Sequence, residues 1–260
     1  MAQVATFQTA IDGANPFQVD GPASLGSGVI VPSFRLGHVS YGDCETEYVY
    51  VKYTSVSNQV LSPGFLFQID DDYVATILTT SAAVKGNNVG VCCIGLGYGG
   101  QSFTTVTGTV YYMWLARAGH LPVAYVTSTI NATSLAETSA TAGKMNYPTA
   151  PSTTTKFLSG LFVQQALTTF TGTVVSGSNV VTITGNSLTP DGGPAWIGST
   201  LSATGIAASQ TITSLIWTGQ LITGIVLSAN ATVNATNTTI TPTLITPARV
   251  YWPWVDKTNP

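Results

Sequence analysis

The sequence predicts an all-β protein, and three observations carry that prediction. The 260 residues include 26 glycines and 13 prolines amid many threonines and serines, a composition that favours short strands joined by turns. Apolar and aromatic runs recur at intervals of about ten residues with period-two alternation, as in barrels and sandwiches. Hydrophobic residues make up 44% of the chain and aromatics 10%, which excludes wholesale disorder. A chain of this length allows one large or two modest domains and buries roughly three-quarters of its unfolded surface.

Residues 1–33 break the pattern first. Phe7, Ile11 and Phe17 stand isolated among Pro16, Pro22 and Pro32 without a period, so this stretch reads as an extended N-terminal arm. Large apolar residues scattered along an arm make sense in pockets on another surface, with a floppy leader as the alternative.

Strand patterns begin after Phe34. In residues 47–53, Val49 and Val51 share one face while Tyr48 and Tyr50 share the other, so both faces are expected to be covered. Residues 64–69, 74–78, 87–94 and 109–116 continue the series, and residues 117–120 read as a turn into 121–126. A β-barrel or sandwich domain is assigned to residues 34–170 together with 245–260. The C-terminal part is included because Tyr251, Trp252, Trp254 and Val255 are too aromatic and apolar for a loose tail and should dock.

Residues 171–244 form a second, small β-sandwich module. Residues 173–175 and 180–184 make one hairpin about the turn at 176–179, and residues 215–217 and 221–223 make another. Asp191 is the module's only ionised side chain, so its solubility rests on hydroxyls and amides or on cover from neighbours.

Only 7% of the residues are charged, with a net charge of −3, and two histidines complete the titratable set near neutrality. Nucleic-acid binding would need clustered Lys and Arg and is not expected. No membrane-length apolar run occurs, and the N-terminus reads as no secretory signal. Cys44, Cys92 and Cys93 show neither a disulfide framework nor zinc-site spacing. Adjacent Cys92 and Cys93 should point to opposite faces of a strand as buried thiols.

Several motifs invite chemistry and lose it in context. Residues 95–100 satisfy G-x-G-x-x-G, but neither a following helix nor an acid about twenty residues on is present, so they read as a glycine loop. Asp70, Asp71 and Asp72 lack the glycine and distal glutamate of a calcium loop and read as a hairpin turn. A nucleophilic cysteine site can be written with His38, Asp43 and Cys44, and a serine site with His120, but neither histidine shows a recognised spacing to nucleophile and acid. No catalytic residues, metal or cofactor are therefore expected. Trp196 and Trp217 read as core, with an aromatic glycan platform as the alternative.

One resemblance joins these pieces. Residues 36–39 leading to Gly42 and 47–51, the later 89–91, the strand at 112–119 and residues 138–144 together resemble tailed-bacteriophage capsid decoration proteins. The resemblance covers about residues 34–165 and rests on order and spacing. It implies a virion structural protein on the outer capsid surface, a homotrimer that cements contacts between major capsid protein subunits and has no catalytic residues. It also implies that the second module is Ig-like. Phe7, Phe17, Phe34 and Arg35 are then the candidate capsid-contacting residues, with Arg35 available for a carboxylate. The alternative is a head-fibre or tail-fibre adhesin whose Trp196 and Trp217 meet a host surface glycan.

Overall fold

The computed structural model describes residues 19–21, 32–42, 45–61, 64–93, 103–124, 135–146, 154–163, 169–185, 200–207, 210–218, 221–243 and 245–258. These residues are all-β, as expected, with no helix among them. The strands in chain order are Val19–Asp20 (β1), Val39–Tyr41 (β2), Glu47–Thr54 (β3), Val60–Leu61 (β4), Leu66–Ile69 (β5), Val74–Ile77 (β6) and Asn88–Cys92 (β7). They continue with Phe103–Thr104 (β8), Val110–Ala124 (β9), Leu135–Thr138 (β10), Met145–Asn146 (β11) and Lys156–Val163 (β12). Phe170–Val174 (β13), Val180–Gly185 (β14), Thr200–Ser202 (β15), Ile212–Thr218 (β16), Leu221–Leu227 (β17), Ala235–Thr243 (β18) and Ile245–Thr258 (β19) complete the set.

The larger sheet closes on itself. Strand β9 pairs with β3 and also with β7, while β3–β6, β6–β5 and β5–β7 complete a five-strand ring in which only β3–β6 is parallel. Alternation along each strand splits the ring's side chains between two cores. Val51, Phe67, Ala75, Cys92 and Met113, one from each ring strand, belong to one core. Tyr50, Leu66, Val91 and Trp114 face the other, which Ala136 of β10, Leu158 and Leu161 of β12, and Val250 and Val255 of β19 complete. Cys92 and Cys93 are buried and divided between the two cores.

Strand β9 overturns one local expectation. Residues 117–120 read as a turn, yet β9 runs unbroken through them. Instead of reversing, the strand changes neighbours: β3 accompanies it as far as Ala118, and β19 pairs with Ala118 to Ala124. Gly119 allows this at φ 118°, where an added Cβ would lie 2.7 Å from the Thr46 hydroxyl.

The smaller unit is a six-stranded sheet in the order β15-β18-β13-β14-β17-β16. Its two ends meet through a bridge from Thr200 to Thr211 and a hydrogen bond from the Leu201 amide to the Gln210 carbonyl. Phe170, Val174, Val181, Ile225 and Ile240 fill its core. Thr171 and Thr173, the alternate residues of β13, are less buried. Strand β19 pairs with β7, β9 and β12 of the larger sheet.

The expected arm, residues 1–33, lies mostly outside the described residues. Its described part returns to the chain's own sheet: Val19 and Asp20 pair with Met113 and Tyr112 of β9. The Tyr50 hydroxyl donates to Asp20 Oδ2, and the Ser33 amide donates to the Tyr50 hydroxyl at 3.2 Å. Burial, reinforced by this bond to Asp20, pushes the Tyr50 hydroxyl well above the ordinary tyrosine range.

Candidate binding site on the aromatic bulge

Two irregularities in neighbouring strands build the most distinctive surface among the described residues. Between β3 and β9, Glu47 pairs with Ala118 and Tyr48 with Ala116, which leaves Arg117 as the extra residue of a bulge. Between β12 and β19, Leu161 pairs with Val250 and Ser159 with Trp254, so Gly160 alone opposes Tyr251, Trp252 and Pro253. Tyr251 pairs with Ala118, which sets the two bulges side by side.

Gly160 permits the second bulge. It adopts φ 82°, and an added Cβ would lie 2.5 Å from the Tyr251 carbonyl oxygen and 3.0 Å from Pro253 Cα. Proline at the bulge has no N–H for the ladder to miss. Trp252 takes φ 40°, a left-handed angle that residues with a Cβ avoid.

The strained backbone delivers an ordered aromatic pair. The rings of Tyr251 and Trp252 lie near-parallel, 17° apart, with centroids 5.6 Å apart. Tyr251 remains 62% exposed and Trp252 52%. The indole Nε1 donates to Glu47 Oε2 at 3.2 Å. Arg117 donates through Nε and Nη2 to the other carboxylate oxygen, Oε1, and its guanidinium carbon lies 5.8 Å from the Trp252 ring centroid. The Glu47 side chain is only 8% exposed and that of Arg117 30%, so the carboxylate is neutralised where water is scarce.

Further aromatics flank this pair. Trp254 and Phe162 are exposed on the adjoining β19 and β12, and Tyr41, paired across β2 with Glu47, is more exposed still. Ser159 donates to Asp256 Oδ2 at 2.8 Å beside Trp254. The arrangement offers broad aromatic surface bordered by directional polar groups, the make-up of a recognition site.

The sequence-predicted residues lie elsewhere. Phe34 packs partly buried against the chain's own core, with its ring centroid 5.0 Å from that of Trp114 and 5.4 Å from His38. Arg35 is exposed next to it. Phe7, Phe17 and Trp196 lie outside the described residues, as do Asp43, Cys44 and the glycine loop at 95–100. The Trp217 backbone belongs to β16, while its side chain, like that of His120, is outside the description. Asp70 caps the β5–β6 turn by accepting from the amides of Asp72 at 3.0 Å and Val74 at 2.8 Å. Among the described residues, no group of three or more His, Cys, Asp or Glu side chains could hold a metal ion.

The bulge site was missed in part because Glu47 and Arg117 are 70 residues apart and nothing local pairs them. Pro253 inside an otherwise strand-like aromatic run was the available signal for a bulge. No family model matches the chain, and neither a curated protein nor a solved structure matches it.

Proposed function

We propose that the protein is a non-enzymatic virion structural protein that binds the outer surface of a phage capsid, as a homotrimer, and reinforces contacts between major capsid protein subunits. The observation that carries this reading is the course of the N-terminal segment. Val19 and Asp20 add a short strand to the edge of β9, and the Asp20–Tyr50–Ser33 hydrogen bonds fasten the segment at both places where it is described. A segment rooted by strand addition on its own domain leaves the residues before Val19 to engage a neighbour by the same backbone chemistry, with Phe7 and Phe17 as anchors. The sequence resemblance and the low charge support the same reading, because a cementing protein relies on many modest contacts repeated by symmetry.

The test is occupancy on capsids stripped of the protein and incubated with the full chain or with a variant lacking residues 1–18, which keeps β1 and its fastening. The variant should fold and trimerise as the full chain does but occupy fewer sites. Equal occupancy, or failure of the full chain to bind capsids at all, would overturn the reading.

A further inference from the structure

We infer that the Tyr251–Trp252 bulge is a binding site for a neutral saccharide, with the exposed outer face of the stacked aromatic pair as the platform and the Glu47–Arg117 pair holding the indole in position. This goes beyond capsid attachment and does not depend on it. Four observations converge. The backbone at Trp252 is strained at φ 40°, and such outliers persist where the surrounding structure imposes them for a function. The bulge has its own clearance, because Gly160 is the residue opposite and any Cβ there would strike the Tyr251 carbonyl. The indole edge is pinned by a buried carboxylate, so the ring is oriented before a ligand arrives. More than half of each aromatic residue is nevertheless left to solvent.

The chemistry selects the ligand class. An exposed aromatic face held rigid by a stacked neighbour suits the flat C–H face of a pyranose, and hydroxyls at the rim of a sugar need directional polar partners close by. The Tyr251 and Tyr41 side chains are exposed, and the Arg117 side chain is 30% exposed. Among the described side chains Glu47 cancels the charge of Arg117, which leaves this pair with no net positive charge to favour an acidic ligand.

Titration of the full chain with cellotetraose, an N-acetylglucosamine tetramer and a hyaluronan tetrasaccharide tests this by calorimetry and by tryptophan emission. At least one neutral probe should bind with a Kd of ~1 mM or tighter and shift the emission. Trp252→Ala and Tyr251→Ala should each weaken that binding ~10-fold, because removing either ring dismantles the stacked pair. Glu47→Gln should weaken it less and broaden the Trp252 indole N–H resonance, a signature that loss of stability alone would not produce. Three results would overturn the inference: no neutral probe binding, preference for the acidic hyaluronan probe, or binding unchanged in Trp252→Ala. A wild-type assembly that Trp252→Ala dissociates, without saccharide binding, would reassign the face to self-association. Failure of capsid attachment is read separately, from the variant lacking residues 1–18.

Discussion

At Trp252 a bulky residue sits at φ 40°, where L-residues other than glycine lose ~1–2 kcal/mol to contact between Cβ and the backbone. That cost is separable from the ring's contribution by comparing two truncations. Trp252→Gly and Trp252→Ala both remove the indole and its bond to Glu47, but only glycine relieves the angle. The glycine variant should therefore be more stable than the alanine variant by ~1 kcal/mol in urea denaturation, and equal midpoints would show that no strain is stored there. Gly160 makes the complementary case, because it needs both φ 82° and the space that a Cβ would take from the Tyr251 carbonyl. Gly160→Ala should lower stability by ~1–3 kcal/mol and shift tryptophan emission as the bulge moves. An unchanged urea midpoint would count against the close packing of β12 on the bulge.

Strand β7 shows how much of an element can be read before its neighbours are known. The alternation through Val89, Val91 and Cys93 against Gly90 and Cys92 was legible, and the two thiols do fall in separate cores. The same logic resolved Val49 and Val51 from Tyr48 and Tyr50 in β3, since period two depends only on local geometry. Strand β9 was not legible in the same way. Its fifteen residues are held by different partners in succession, and the Gly119 that sequence alone reads as a turn serves as a bend. Likewise the aromatic run at 251–254 was legible as a docking element, but which rings face outward depends on the bulge against Gly160. The candidate sites on residues 1–33 rested on isolated aromatics, and Phe34 turns out to pack on its own chain because Trp114 and Tyr50 stand beside it. Cys92 at the end of β7 and the adjoining Cys93 also set a pH response. Burial, with the Cys92 thiol alongside, holds the Cys93 thiol far above its ordinary value of 9.0. Above pH 9 the unfolded chain therefore gives up a proton that the folded chain retains, so stability present below that pH is lost as pH rises. Cys93 alone should lower unfolding free energy by ~1.4 kcal/mol per pH unit once the unfolded thiol has ionised. Urea midpoints should fall from pH 9 to pH 10.5, more steeply in the wild type than in Cys93→Ala. Iodoacetamide should leave Cys92 and Cys93 unmodified in the native protein at pH 8 and alkylate both in urea.

The whole molecule places a nearly uncharged sheet between two strands that belong together. Val163 at the end of β12 pairs with Ala248 near the start of β19, so the chain leaves the larger sheet and re-enters it at adjacent positions. Across an antiparallel pair the two Cα atoms stand about 5 Å apart, a gap that a short linker spans without strain. The intervening sheet has its own core around Phe170, Val181 and Ile240 and closes its own ends through Thr200 and Thr211. Low charge does not contradict such autonomy, because threonine hydroxyls can meet water on the alternate faces that the core leaves free. Two separable folding units are therefore expected. A variant joining residue 168 directly to residue 244 should unfold cooperatively with a midpoint close to that of the main transition of the full chain. Residues 169–243 expressed alone should also unfold cooperatively, with the ~3–5 kcal/mol that one small core supplies. Calorimetry of the three proteins checks this directly. If the full chain showed a single transition absent from both fragments, the two sheets would have to stabilise each other, and the nearly neutral module would be part of one cooperative body.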